Sequence, residues 1–312
     1  MENDQKVMVS HAVSELKPRL RRRLEFIDFR LLWNARLNRS EIAEQFRIST
    51  QQASADIAEY EKLAPGNLLY DRALRRYVRS ADYQPVLVGG MSDRYLMQLG
   101  AMQMGLLPAT ETWFLEPPPV DVASLRPRKV EDDLLRSVLD AMRDRRELLV
   151  DYASMSGTPR GRRWIGPHAI AEALHRWHAR CYSPENRDFR DFNLNRIRRV
   201  LDVRDASVAP TLDLEWQTRV DLVLEPNPDY SEDMKVAVRD EFEFDGERLV
   251  VATRTALVFY LMHEHNLEPH SDGLPHSKRQ LVLVNGEEVA RAREGARETA
   301  KRLIDAAHPI KR

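Results

Sequence analysis

HRWHARCYSPENRDFRDFNLNRI, residues 175–197, decides how the middle of this 312-residue chain folds. It reads as two strands joined by a polar turn at Ser183-Pro184-Glu185-Asn186. Side chains alternate between the two faces of a strand. Trp177, Ala179 and Cys181 therefore form an apolar row, and Arg176, His178, Arg180 and Tyr182 form the other. The second strand adds Arg190 and Asn193 and ends on Arg196. A half-buried strand ordinarily shows water a face of mixed charge. This one carries cations and aromatics with no carboxylate in the row. Such a face suits an anionic, base-bearing ligand. Trp177 and Cys181 are expected in the core, Cys181 as an inert thiol.

Outward from that stretch the pattern keeps a period of two. Residues 148–153, 162–170, 176–183, 188–194 and 198–203 read as five short strands at regular spacing. A helix at 132–145 precedes them, with Leu134, Leu135, Val138 and Met142 on one side. Five short strands behind one helix predict a small, strongly bent barrel with the helix over one open end. The candidate ligand residues are Tyr152, Ser154, Arg163, His168, His178, Arg180 and Arg190. Tyr152 and Ser154 lie two apart and share a face, and His168 follows Pro167, where a strand turns. Arginine forks fit phosphate oxygens, and Tyr, His and Trp164 offer rings for a base. The alternative is that these arginines pair with Asp151, Asp188 and Asp191 as surface ion pairs.

Residues 206–312 alternate differently. Strands at 219–224, 248–253 and 280–284 interleave with helices at 231–239, 256–265 and 287–303, the pattern of a small α/β sandwich. Its acidic balance favours a protein partner over nucleic acid.

At the other end, residues 18–33 place Leu20, Leu24, Ile27 and Leu31 on one helical face. Arg21, Arg22, Arg23 and Arg30 are expected opposite. Ser40 is expected to cap a short helix, 41–46, and Ser49 a longer one, 50–63. Helix, short helix, tight turn and longer helix make the helix-turn-helix pattern. A hairpin at 68–70 and 76–78 then reads as a wing. The first residues of the longer helix, Thr50, Gln51, Gln52 and Ser54, are expected at base edges. Arg21, Arg22, Arg72, Arg75 and Arg76 are expected at phosphates. A helical domain that binds protein is the alternative. Residues 81–130 read as a connector, with a helix at 92–104 and an extended Pro117-Pro118-Pro119.

Composition agrees with this partition. The net charge of −1 hides blocks of +4 (1–80), −4 (81–125), +6 (126–204) and −7 (205–312). Basic blocks suit nucleic acid. One cysteine, no ~20-residue apolar run and an N-terminus without a signal core lead to an expectation of a cytoplasmic protein, with no membrane partner. His263-Glu264-His265 sits on a helix, where residues two apart do not share a face, so no metal or other cofactor is expected. Neither a Gly-rich phosphate loop nor a Gly-x-Ser-x-Gly elbow occurs, and no enzyme is expected.

Three stretches carry a resemblance: Arg163-Trp164-Ile165-Gly166-Pro167-His168, Arg176-Trp177-His178-Ala179-Arg180 and Asp191-Phe192-Asn193-Leu194-Asn195-Arg196-Ile197. Together they resemble a WYL domain, an Sm-like β-barrel used for ligand sensing in bacterial transcription regulators. The naming tripeptide stands here as Trp177-His178-Ala179. Residues 48–78, ISTQQASADIAEYEKLAPGNLLYDRALRRYV, resemble the winged helix of the BrxR/CapW group. That group places a winged helix, a WYL domain and a WCX dimerisation domain in this order.

The resemblance implies a multidomain α+β chain. Its parts would be a winged helix-turn-helix (1–80), a connector (81–130), an Sm-like WYL barrel (131–205) and a WCX-like α/β sandwich (206–312). It implies a homodimeric repressor beside bacteriophage-defence genes, reading double-stranded operator DNA and answering a nucleic-acid or nucleotide effector. An activator built of the same parts and an RNA-binding protein using the barrel are the alternatives.

Overall fold

The computed structural model describes residues 11, 13–123, 125, 128–155, 160–268, 274–275 and 278–307; residues 1–10, read for a signal core, lie outside them. Contacts divide the chain into two compact units, Met1–Leu125 and Arg126–Arg312. No helix among the described residues is long and apolar enough to cross a membrane.

The first unit is built on helix Pro18–Asn34, which buries Leu24, Ile27 and Leu31 as the spacing predicts. Its basic face is split, contrary to expectation. Arg21 and Arg22 are exposed. Arg23 turns inward to Asp56, at 2.6 and 2.9 Å. Arg30 is buried against Glu41 at 2.9 Å. A guanidinium removed from water needs a carboxylate to offset the lost hydration. The second helix is Arg39–Phe46, and Asn38 caps it, not Ser40. Asn38 Oδ1 accepts the Ser40 N–H at 3.4 Å and Glu41 accepts the Asn38 N–H at 2.9 Å. Ser49 caps the third helix, Thr50–Leu63, accepting the Gln52 N–H at 3.1 Å. Ala53, Ile57 and Tyr60 seat that helix in the core.

The wing is the antiparallel pair β2 (Leu68–Asp71) and β3 (Arg76–Arg79), with β1 (Arg36–Leu37) on the other side of β3. Part of the expected connector is core instead. Tyr83, Val86, Leu87 and Trp113 pack on the helices. The Tyr95 ring, on helix Ser92–Gln103, stacks on Trp33 at 4.5 Å. Buried Asp28 organises this. Its carboxylate accepts from Tyr60 and Tyr83 hydroxyls and from the N–H groups of Val86, Leu87 and Val88, at 2.5–3.1 Å.

The second unit opens with helix Asp132–Asp144, whose Leu134, Val138 and Ala141 are buried. Five antiparallel strands follow: β4 (Arg146–Ala153), β5 (Arg160–Ala173), β6 (Arg176–Ser183), β7 (Asp188–Asn193) and β8 (Ile197–Asp205). They pair in the order β7-β6-β5-β4-β8. No ladder joins β7 to β8 among the described residues, so the expected closed barrel is an open, bulged sheet. The turn Leu194–Arg196 links its two edge strands. Phe192, Leu194 and Ile197 lie in the helix-backed core, where the two edge strands approach without a ladder between them. β6 is buried on both faces from His178 to Ser183. Trp177, expected in the core, is 53% exposed, because it stands at the hairpin end beyond the sheet's cover. Cys181 is fully buried, and burial pushes its thiol pKa up.

The rest is a two-layer α/β arrangement. β9 (Arg219–Pro226) lies between β10 (Leu249–Arg254) and β11 (Leu281–Leu283). Leu222, Leu224, Val258, Leu281 and Val289 form its core. The C-terminal helix, Gly286–Ala307, buries Val289, Ala296, Ala300 and Ile304.

Candidate functional site

In the first unit the N-terminal turn of helix Thr50–Leu63 presents Thr50, Gln51 and Gln52 to solvent, with Ser54 half-buried. Gln52 Nε2 donates to Asp56 Oδ1 at 3.0 Å, so the Arg23–Asp56 pair holds this carboxamide and leaves its oxygen free. Ser54 Oγ donates to the Thr50 carbonyl at 3.0 Å. Arg21 pairs with Glu25 at 3.0 Å, and Arg22 sits 5.3 Å over the Trp113 ring. On the wing, Arg72 and Arg75 are exposed and Arg76 is half-buried. Asp71 Oδ1 accepts the N–H groups of Ala73 and Leu74 at 2.9 and 3.0 Å, shaping the wing tip. A recess of about 360 Å³ lies between the Asn38 cap and the wing, lined by Asn38, Arg39, Tyr70, Arg75 and Tyr77. Sequence reasoning missed Arg39 here. Its position one residue past a helix cap was the available signal.

In the second unit the seven candidate residues part company. The β-bulge between Pro167 and Ala169 turns His168 toward Asp213. Asp213 lies in the segment leading to the short helix Leu214–Gln217, which it caps. His168 Nε2 and Asp213 Oδ2 are 2.8 Å apart. Arg180 Nε donates to the same oxygen at 2.7 Å, and Nη2 reaches Asp213 Oδ1 and Glu215 Oε2 at 3.0 Å each. Arg180 Nη1 is 3.4 Å from Asp191 on β7. The face expected to lack carboxylates thus receives three, two of them from beyond the sheet. The reason is burial: Arg180 is 4% exposed, and an unpaired guanidinium there would be costly. Burial lowers the Arg180 pKa, and Asp213, Asp191 and Glu215 outweigh it, so the net shift is upward. Burial raises Asp213, and the bonds from His168 and Arg180 more than reverse that. Glu215 is raised by its burial, against the pull of Arg180.

His178, on the same face, packs 5.3 Å from the Tyr260 ring, and Tyr260 donates to Asp191 at 3.0 Å. Burial holds the His178 imidazole below its usual value. The sheet and the C-terminal layer therefore meet across this polar cluster. Tyr152 lies under the sheet in the helix-backed core, where its hydroxyl accepts the Asn193 N–H at 3.3 Å. Ser154 is half-buried at the end of β4. Arg163 is 4.0 Å from Glu185. Trp164 carries the Arg204 guanidinium on its ring at 4.0 Å. Arg190 is half-exposed, 3.8 Å from Asp188.

Comparison with known proteins gives three family matches. Residues 19–101 match the BrxR transcriptional regulator winged helix-turn-helix domain, 133–201 the WYL domain and 219–289 the BrxR C-terminal dimerization domain. The chain is 34% identical over 271 residues to a DNA-binding transcriptional repressor CapW of Pseudomonas aeruginosa, covering 86% of this chain and 90% of that protein. It is 34% identical over 285 residues to the CapW repressor of Stenotrophomonas maltophilia, at 90% and 95% coverage. The CapW repressor of Escherichia coli strain KTE188 is 34% identical over 272 residues, at 86% and 90%. The solved structure of proteasome accessory factor B/C (PafBC) of Arthrobacter aurescens aligns with 86% of this chain at 16% identity and a TM-score of 0.25. This chain spans 44% of that one.

Proposed function

The chain belongs to the CapW family of DNA-binding transcriptional repressors, and from that premise we propose that it represses transcription as a homodimer on a palindromic operator. The observation that carries this is the exposed start of helix Thr50–Leu63, with Gln51 and Gln52 side by side and an arginine-bearing wing beyond. Thr50, Gln51, Gln52 and Ser54 read base edges in the major groove. Arg21, Arg22, Arg72, Arg75 and Arg76 hold phosphates and fix the register. The C-terminal domain brings two such readers together, so half-site spacing follows from the dimer. Like the CapW repressors, it is a regulator and not an enzyme.

The second part of the proposal concerns control. The bent sheet acts as an open form of the Sm-like WYL barrel and answers an anionic effector, a nucleic acid or nucleotide. Arg190, half-exposed, is the first contact, and Tyr152, Ser154 and Arg163 are further candidate contacts. His168, His178 and Arg180 are buried and carry the response, because they tie the sheet to Asp213, Glu215 and Tyr260. An effector that alters this tie favours one dimer arrangement over another. The genes it controls are those of a bacteriophage-defence operon.

Gel shifts on the DNA upstream of the chain's own gene test the first part. Expected is a discrete complex with a two-fold symmetric footprint, and higher reporter output on deletion. Lower output on deletion makes the protein an activator. Binding to single-stranded RNA with none to duplex DNA overturns the reading.

A further inference from the structure

Away from the Arg180 cluster, the second unit holds a cleft of about 570 Å³ between the β6–β7 turn and the C-terminal helix. Three cations of that helix line it: Arg293, Arg297 and Lys301. They stand four residues apart, so they form one row, with about 6 Å along the axis between neighbours. Like charges at this spacing destabilise an isolated helix. The row is therefore unfavourable unless an anion faces it. Across the cleft stand Arg187 and Arg190, two further cations.

The carboxylates at hand neutralise this set only in part: Arg187 pairs with Asp305 at 2.7 Å, but the row on the helix is left short of partners. Neither Arg293 nor Lys301 makes an ion pair among the described residues, and Arg293 Nε is buried with no hydrogen-bond partner. Asp188 is 3.5 Å from Arg297 and 3.8 Å from Arg190, both longer than a strong charge-assisted bond. Glu215 is committed to Arg180. Glu294 and Glu298 also line the cleft, three residues before Arg297 and Lys301 and so within neighbour spacing on the helix, but neither pairs with a cation of the row among the described residues.

We propose that this cleft binds a ligand carrying successive phosphates, with Arg293, Arg297 and Lys301 each meeting one of them. The chemistry is that of a single-stranded sugar–phosphate backbone or of a polyphosphate. The proposal deepens the effector reading and rests on it for its consequence. Glu215 lines the cleft and also bonds Arg180, so phosphates entering the cleft repel Glu215 and loosen the buried cluster.

The test is anisotropy of a short labelled single-stranded deoxyoligonucleotide with the full chain. Arg293→Gln/Arg297→Gln is compared with Arg291→Gln/Arg302→Gln, which removes equal charge from the same helix away from the cleft row. The cleft pair should weaken binding by about tenfold or more and flatten the salt slope by about 1.4, while the control pair stays within about twofold. Lys301→Gln alone should give about half that slope change. Equal losses in both pairs, no loss in either, or loss only with Arg72→Gln/Arg75→Gln in the wing overturns the site. Competition by unlabelled oligonucleotide but not tripolyphosphate assigns the strand, and competition by both assigns the polyphosphate chain. Competition by inorganic phosphate at equal phosphate concentration overturns the successive-phosphate idea. A reporter that stays repressed while the cleft binds leaves the site standing and removes the effector reading. A reporter that responds equally in the cleft variant does the reverse.

Discussion

Arg180 and Asp213, 33 residues apart, meet through two parallel bonds of 2.7 and 3.0 Å with both side chains buried. Such a pair contributes little net stability when intact, because both ions lose their hydration. Its asymmetry is large. Asp213→Ala leaves a guanidinium buried beside Asp191 and Glu215 only, and it strips His168 of its partner and the helix Leu214–Gln217 of its cap. The expected cost is about 3–5 kcal/mol. Urea unfolding of Asp213→Ala against an Arg180→Met/Asp213→Leu double variant checks it. The double variant should lie nearer the wild type than the single.

Much of this fold was legible because it is local. The i, i+4, i+7 row at Leu20, Leu24, Ile27 and Leu31 and the period of two in 148–203 each need only neighbouring residues. What failed was non-local. The carboxylates that meet Arg180 come from Asp213 and Glu215, in a segment that shows no periodicity. Barrel closure depends on whether β7 meets β8, which strand spacing does not decide. Arg23 and Arg30 looked like a basic face because their partners, Asp56 and Glu41, lie on other helices. The C-terminal row of Arg293, Arg297 and Lys301 was readable at i, i+4, but nothing local shows what it faces.

On the proposed function, helix Thr50–Leu63 and the wing make two kinds of contact. Gln51→Ala or Gln52→Ala should lose discrimination between bases, by about 1–3 kcal/mol for each bidentate contact removed. Gln52 is held by Asp56, so Asp56→Ala should mimic part of the Gln52→Ala loss. Arg76→Ala should instead weaken every sequence alike and flatten the salt slope by about 0.9. Gel-shift titrations at several salt concentrations, on operator and scrambled duplex, distinguish them. A base-selective loss in Arg76→Ala would reverse the assignment.

Asp28 is fully buried and receives five donors at 2.5–3.1 Å, two tyrosine hydroxyls and three successive backbone N–H groups. Burial, with the Asp28 carboxylate adding to it, raises the pKa of both Tyr60 and Tyr83, keeping them as donors. Asp28→Ala removes the acceptor the five groups share, leaving the Tyr83 hydroxyl only the backbone carbonyl of residue 28 at 3.1 Å, and should cost about 3 kcal/mol or more, with segment 83–88 released from the helices. Hydrogen exchange reads this directly. The N–H groups of Val86, Leu87 and Val88 should lose protection more than those of helix Thr50–Leu63. Unchanged protection there would mean the apolar contacts of Val86 and Leu87 hold the segment unaided.

His178 sets the acid limit. Burial favours its neutral form. Asp191 and a hydrogen bond with the Arg176 backbone partly oppose this, while the Arg176 and Arg196 charges disfavour the cation, and the Tyr260 ring covers it without supplying charge. Its folded pKa therefore lies below the value of about 6.5 that it has when unfolded. Below about pH 6.5 the unfolded chain binds a proton that the folded chain refuses, so stability is full above that pH and falls as the pH drops toward the folded pKa. His178→Phe keeps a ring against Tyr260 and removes the proton site. Thermal unfolding between about pH 7.5 and pH 5.5 should show a steeper decline for the wild type than for the variant. Because Arg180, Asp191 and Tyr260 stand in the same cluster, the decline should be matched by loss of protection in β6 and in helix Val258–Glu264. Parallel curves for the two proteins would mean that the buried imidazole does not set the acid limit.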